Sequence, residues 1–535
     1  QHGIAGAGIF TNNGTVTKTS TGNTDLDVTT INNNGTFNFN AGTVTDNNDA
    51  FNNFGSLIFN SGTLATNSTF NYNAGSLVSG TGNFINGGTL NLNINLVFPA
   101  SIFFASTNTI AGAGNLTVNN DFTIQGSLTG GLLTINGNSN WVGGTLGRLF
   151  NVDAGRTLSL TTGSTKFFTV DITNNGTIDW QDGIFRFEDF KTVTNNGTLL
   201  LSGNTSFQHG IAGAGIFTNN GIVTKTSTGN TDLDVTTINN NGTFNCNAGT
   251  ISNNNDVFNN NMGSFIRGTA TFDNVNTFVS NGTIAPGNSP GILTMNGQEP
   301  FSANSTLQIE MLNGSGAGTG HDQLQRNSSL TLAGTLTVTQ TGSVPYGTYT
   351  IISLTSGTIS GSFSTVNLPA EYTLQVNTTT VDLVKAMPVS LNTHYFRSIS
   401  TGNWSAPATW ESSPVSDFSS GVVSPATLAP DDNANTITIR NGHTVTVNSP
   451  VTVDQVVVET SGTLTQTADL TIADGTGDDI VVDGTFNLNN NYLTGAGLMR
   501  VNGMMNWSAG GIGVQLVLSA GSVTNKTDAV DLCLL

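Results

Sequence analysis

The densest run of ionisable residues is Asp179-Trp180-Gln181-Asp182-Gly183-Ile184-Phe185-Arg186-Phe187-Glu188-Asp189-Phe190-Lys191. Carboxylates able to hold a cation, beside a Lys or Arg base, are what a polysaccharide lyase needs. Asp182, Arg186, Glu188, Asp189 and Lys191 are the candidate catalytic residues on that reading. Strand alternation supplies a simpler one. It puts Arg186 and Glu188 on one face and Phe185 and Phe187 on the other, an outward ion pair above an inward aromatic pair.

Other residues with chemical potential stand alone. His2 and His209 each precede a glycine without an acidic neighbour in sequence, and His443 follows Asn441-Gly442, so all three read as turn residues. His321 and Asp322 are consecutive, and consecutive strand residues face opposite ways. No His-Glu-x-x-His or phosphate-loop pattern occurs. Trp404 and Trp410 could stack on sugar rings or pack a proline-rich joint. Asp474, Asp478 and Asp479 sit in a glycine–aspartate turn of the kind that binds calcium, in a single copy. No cofactor is expected; calcium at this turn is the alternative kept open.

The scaffold beneath these residues is a repeat. Gln1 to Ala50 returns as Gln208 to Val257 with six differences: Thr15/Ile222, Phe39/Cys246, Val44/Ile251, Thr45/Ser252, Asp46/Asn253 and Ala50/Val257. Turn glycines fall at Gly14, Gly35, Gly55 and Gly75, and resume from Gly176 to Gly282 at intervals of 19 to 24 residues. Such periods mark solenoids. Between turns the alternation has period two: Phe37 and Phe39 share a face, with Thr36, Asn38 and Asn40 opposite. Asn-Gly pairs suit backbone positions with positive φ and are also the strongest hairpin signal. Uneven coil lengths favour a parallel solenoid over hairpins, because insertions can bulge at corners. Roughly twenty-five coils at about 4.8 Å spacing would make a rod of about 120 Å.

Composition limits the partners. A net charge of −19 argues against nucleic acid and anionic membrane. No run of eighteen apolar residues predicts a membrane-spanning helix. Charged residues make up only 9%, yet 30 Phe and 36% hydrophobic residues supply apolar faces to bury. Cys246, whose duplicate is Phe39, reads as a small core residue; Cys533 is the other cysteine. The abrupt start of the first copy at Gln1 reads as a cut within a longer protein.

The stretch Asn281-Gly282-Thr283-Ile284-Ala285-Pro286-Gly287-Asn288-Ser289-Pro290-Gly291-Ile292-Leu293-Thr294 resembles the repeat of autotransporter-type passenger domains and related secreted bacterial adhesins. Asp322-Gln323-Leu324, Leu332 to Val338, Tyr349 to Ile352 and Gly361-Ser362-Phe363 extend the resemblance over 281–384. It implies a right-handed parallel β-helix on or outside a bacterial cell. That family's C-terminal membrane barrel is absent from these residues. Gly402-Asn403-Trp404 through Trp410 is similar to a short motif of secreted proteins from gliding and biofilm-forming bacteria.

The expectation is therefore an all-β parallel β-helix with coils of about 20 residues. Residues 1–385 form its first segment, with a cap region at 281–385; residues 386–435 are a Pro/Trp junction, and 436–535 a second β-helical segment. The expected function is a non-catalytic, secreted or cell-surface, adhesin-like rod. Its expected partners are a glycan or a host or neighbouring cell surface, and other copies of itself, without membrane insertion. The alternatives are a carbohydrate-active β-helix enzyme and, from threonine pairs such as Thr436-Ile437-Thr438, an ice-binding face.

Overall fold

The computed structural model describes residues 8–47, 50–188, 190–203, 205–210, 215–253, 257–275, 277–297, 300–527 and 533–534. The chain is a parallel β-solenoid of about 25 coils of roughly 20 residues. It divides into two compact units, Gln1–Lys385 and Ala386–Leu535.

In the first unit each regular coil contributes three short strands, one to each of three faces. The first coil is Ile9–Asn12, Thr15–Lys18 and Asn23–Asp25. The next repeats it directly beneath: Thr30–Asn33 pairs in parallel with the first strand, Thr36–Phe39 with the second and Thr43–Asp46 with the third. The first face continues without a break in pairing to Gly347–Leu354. Strand alternation decides what goes inside. Along Thr36–Phe39 and Ala50–Asn53 every second side chain is buried. Phe37, Phe39, Phe51, Phe59 and Phe70 lie in one continuous core. Phe39 stacks on Phe37 at 4.7 Å and on Phe59 one coil below at 4.8 Å. Burying one such ring contributes about 2–3 kcal/mol, and a stacked pair about 1 kcal/mol more.

The Asn-Gly turns work differently from the sequence expectation. The recurring glycines at 14, 35, 55, 221 and 242 are not among those with positive φ. What requires glycine is contact between coils. A Cβ at Gly35 would lie 2.0 Å from the carbonyl oxygen of Gly14, and one at Gly242 would lie 2.1 Å from that of Gly221. Backbone rests on backbone at this corner, and no other residue fits.

The asparagine before each turn is the second device. Asn12, Asn33 and Asn53 are buried at equivalent corners, where the Asn12 amide donates to Asn33 Oδ1 and the Asn33 amide to Asn53 Oδ1, both at 2.7 Å. Such a ladder satisfies polar groups that the interior would otherwise leave unpaired.

The coils stay parallel through Thr335–Gln340 and Thr365–Asn367. Antiparallel pairing, the rival architecture, ends the first unit: Thr380–Lys385 runs antiparallel to both Gly347–Leu354 and Tyr372–Val376. Only the last part of the 281–385 segment therefore closes the stack, and the rest is ordinary coil.

The second unit is a solenoid of its own. Tyr395–Ser398, Thr436–Ile439, Val456–Val458 and Ile480–Val482 stack in parallel along one face. Residues 386–435, expected as a separate junction, supply its first coil: Gly402–Asn403 pairs with Thr444–Val447. Two long strands, Thr485–Val501 and Met504–Leu518, pass around corners through register shifts.

Candidate functional site

The charged segment of the first unit bends around a corner. Asp179 lies on the third-face strand Thr177–Trp180, Asp182 follows in the turn, and Arg186 lies on the first-face strand Gly183–Phe187. Each group is engaged locally. Asp179 accepts from the Gln181 amide at 2.6 Å and from the Ser202 hydroxyl at 2.8 Å. Asp182 accepts from the Gly183 N–H at 2.8 Å. Arg186 Nε meets Glu188 Oε1 at 2.7 Å, and the guanidinium lies over Phe167. Lys191 falls in the turn before Thr192–Asn195. Asp189 lies outside the described residues. Phe185 and Phe187 are buried beneath the ion pair, as alternation requires. The described members of this segment thus run from the third face, around a corner and along the first face, to the turn before the second.

Stacking brings in a group that sequence reasoning passed over. His209 has no acidic neighbour along the chain, but the next first-face strand places Asp234 Oδ1 3.6 Å from its Nε2. Glu188 lies against Gly210, where a Cβ would meet its carboxylate oxygen at 2.2 Å. Glu188, His209 and Asp234 therefore gather on the first face. The signal for it was the coil period, which sets residues about 20 apart side by side. His2, the twin of His209, lies outside the described residues.

Of the two readings of the tryptophans, packing holds and sugar stacking does not. Trp404 and Trp410 are 2% and 0% exposed, packed edge to face at 5.0 Å. Their indole N–H groups donate to the carbonyl oxygens of Pro430 and Trp404. Neither offers a ring face to a sugar; they fill the core of the second unit's first coil.

The acidic turn near the chain's end is also divided. Asp478 is taken by Arg500, which donates from Nε at 2.6 Å and from Nη2 at 3.0 Å and holds its carboxyl below the usual range. Asp479 is buried and accepts from the N–H groups of Gly475 at 2.8 Å and Leu498 at 2.6 Å. Asp474 is exposed, as are the three residues that follow it. Two of the three carboxylates are thus directed at protein donors rather than at one shared point. Among the described residues, no three His, Cys, Asp or Glu side chains group as a metal site.

The polar chemistry that sequence reasoning missed lies inside the first unit's solenoid. Arg148 is fully buried and donates to the carbonyl oxygens of Gly114 at 2.8 Å, Ala111 at 3.1 Å and Gly112 at 3.2 Å. Burial lowers its pKa to about 10. Lys166 donates to the carbonyls of Thr162 and Asp182, and Lys225 to Ser227 and Gly229. Burial pushes both lysine pKa values down, with Asp182 and Cys246 opposing the shift in turn. These cations saturate corner carbonyls. Alternation could have found them: Leu146 and Arg148 share a face, as do Val223 and Lys225. Cys246 is in the core as expected, fully buried, its thiol pKa raised by that burial.

No protein-family model matches this chain, and no curated protein matches it.

Proposed function

We propose that this protein is a non-catalytic, secreted or cell-surface rod whose role is reach, stiffness and repeated weak contact. The observation that supports it is the continuous ladder. Asn174, Asn195, Asn219, Asn240, Asn260 and Ser280 form one chain of side-chain hydrogen bonds of 2.6–3.3 Å running from coil to coil. Neighbouring coils depend on one another, so a coil is stable only in the stack. A long stack displaying equivalent outward groups suits multivalent contact, in which many weak interactions add. The resemblance of residues 281–384 to passenger-type adhesins points the same way.

A carbohydrate-active enzyme is the second reading, favoured by the gathering of Glu188, His209 and Asp234 on the first face. A panel of acidic and neutral polysaccharides separates the two. The rod predicts no depolymerisation by the intact chain. Chain cleavage that disappears in both Glu188→Ala and His209→Ala would overturn it in favour of the enzyme.

A further inference from the structure

The third face of the first unit carries an outward row of polar side chains, one per coil, with a gap in it. Asn245 is followed in register by Arg267, and Arg267 by Ala285. One residue on from the Ile284–Leu307 pair, the row continues to Gln308, then Thr337. Ala285 is the short member between two long ones. With coils about 4.8 Å apart, its methyl group floors a slot about two coils wide between Arg267 and Gln308. The result is a cleft of about 210 Å³, lined by Arg267, Ala285, Ser289, Gln308, Glu310 and Thr339 among others.

The cleft is built, not incidental. Its side wall is the loop Gly287 to Gly291, pinched at the base: a Cβ on Gly287 would lie 2.2 Å from the Gly291 nitrogen. Gly287 exchanges two backbone hydrogen bonds with Gly268, at 2.7 and 3.1 Å. Asp322, 5% exposed, ties the wall to the far strand, accepting from Gly291 N–H on one oxygen and Glu310 N–H on the other, both at 2.8 Å. Ser289 at the loop tip is held at φ 133°, a region that costs a non-glycine residue free energy.

The side chains left over have opposite needs. Arg267 Nε is buried without a hydrogen-bond partner, its guanidinium set over Phe265 at 5.5 Å. A guanidinium suits a carboxylate bound side-on through two parallel N–H groups. Glu310, across the slot, accepts from the Thr341 hydroxyl at 2.6 Å on one oxygen and, as a carboxylate, has lone pairs left for ligand hydroxyls. Gln308 and Thr339 add neutral donors and acceptors. A bare anion would satisfy Arg267 but face the Glu310 carboxylate. A ligand with one carboxylate and several hydroxyls satisfies both sides, and a space this small takes one ring rather than a drug-sized molecule of roughly 300 Å³ or more.

We propose that this cleft binds a single acidic sugar residue, its carboxylate on Arg267 and its hydroxyls on Gln308, Glu310 and Thr339. The site adds a ligand to the rod and does not depend on how the rod is anchored.

The test titrates the whole chain by calorimetry and ligand-observed NMR with methyl glycosides of glucuronate and galacturonate, methyl galactoside, sulfate and glycine. At least one uronoside is expected to bind tenfold or more tightly than the neutral glycoside, sulfate or glycine. Arg267→Gln should weaken that binding by about tenfold or more, the loss of a charged hydrogen-bonded partner. Ala285→Leu fills the slot from the outer face without altering charge or core, and should abolish binding while the thermal midpoint stays unchanged. Equal binding of sulfate would reduce the site to an anion site and overturn the assignment. Tighter glycine binding would replace the sugar with an amino acid. Uronoside binding that survives Ala285→Leu, or no uronoside binding at all, would also overturn it.

Discussion

The two near-identical blocks, 1–50 and 208–257, do not occupy equivalent places in the solenoid. Ile9–Asn12 opens the first copy on the first face, in the pairing path that runs through Thr205–His209 and Asn230–Leu233. Its twin, Ile216–Asn219, pairs with Thr192–Asn195 and Thr237–Asn240 on the second face. Thr15–Lys18 lies on the second face and its twin Ile222–Lys225 on the third. Local structure survives this rotation. Asn33 donates to Asn53 at 2.7 Å, and its twin Asn240 donates to Asn260 at 2.9 Å. Lys18 and Lys225 each donate to the serine and glycine carbonyls of the turn that follows. The three corners are therefore interchangeable hosts, and what differs between the copies is what lies above and below.

That difference sets the predictions. The largest effect is expected at the buried lysines. Lys225 is fully buried and Lys18 is 8% exposed in the first described coil. Lys225→Met leaves inner carbonyls unpaired and should lower unfolding stability by about 4 kcal/mol, whereas Lys18→Met should cost about 1 kcal/mol. Equal losses in urea unfolding would mean that the surrounding coils do not matter.

Glycine twins give the next contrast. At Gly221 a Cβ would lie 2.1 Å from the Gly197 carbonyl oxygen, while at Gly14 nothing lies within 4 Å. Gly221→Ala should cost about 3 kcal/mol through forced backbone movement. Gly14→Ala should change the thermal midpoint little, within about 0.5 kcal/mol.

A swap at the core difference follows. Phe39 has Lys18 above and Phe59 below; Cys246 has Lys225 above and Gly268 below. Phe39→Cys opens a cavity and loses two ring stacks, for about 3 kcal/mol. Cys246→Phe forces a ring into a packed coil and should cost about 1–2 kcal/mol. Calorimetric midpoints of the two single variants rank them, and the reverse order would show that the second copy keeps room for the ring.

The smallest expected effect is acidic. Burial, with Asp234 nearby, raises the Asp232 pKa above its usual value against the Ser252 hydrogen bond that lowers it. Because the folded value is the higher one, the stabilisation from Asp232 is fully present below its unfolded pKa and is lost as pH rises through the folded one. Asp232→Asn should flatten that part of the stability–pH curve above the ordinary aspartate range. A steeper curve in the variant would mean that Asp232 has a lowered rather than a raised pKa in the folded chain.

Much of the fold was legible because alternation and turn spacing repeat: Phe37, Phe39 and Cys246 were placed inside on pattern alone. The role of Gly35 was not. Its requirement comes from a carbonyl one coil away rather than from its own φ, and a single-strand reading cannot see across coils. The same blindness hid Asp234 from His209 and the Ala285 slot from the row that flanks it. Arg148, Lys166 and Lys225 were missed for another reason: alternation assigns them inward, but it was applied only to the apolar residues and to the Arg186–Glu188 pair. Trp404 and Trp410 were judged by their proline-rich surroundings, which turned out to be a coil.

The offset between the copies carries a geometrical consequence. The 207-residue displacement corresponds to ten coils and one further face. Tandem growth by this unit is a screw operation: each added copy advances along the axis and turns one side of the prism. Three successive units would show any given outward patch in all three lateral directions, so a filament lengthened this way has no blind side.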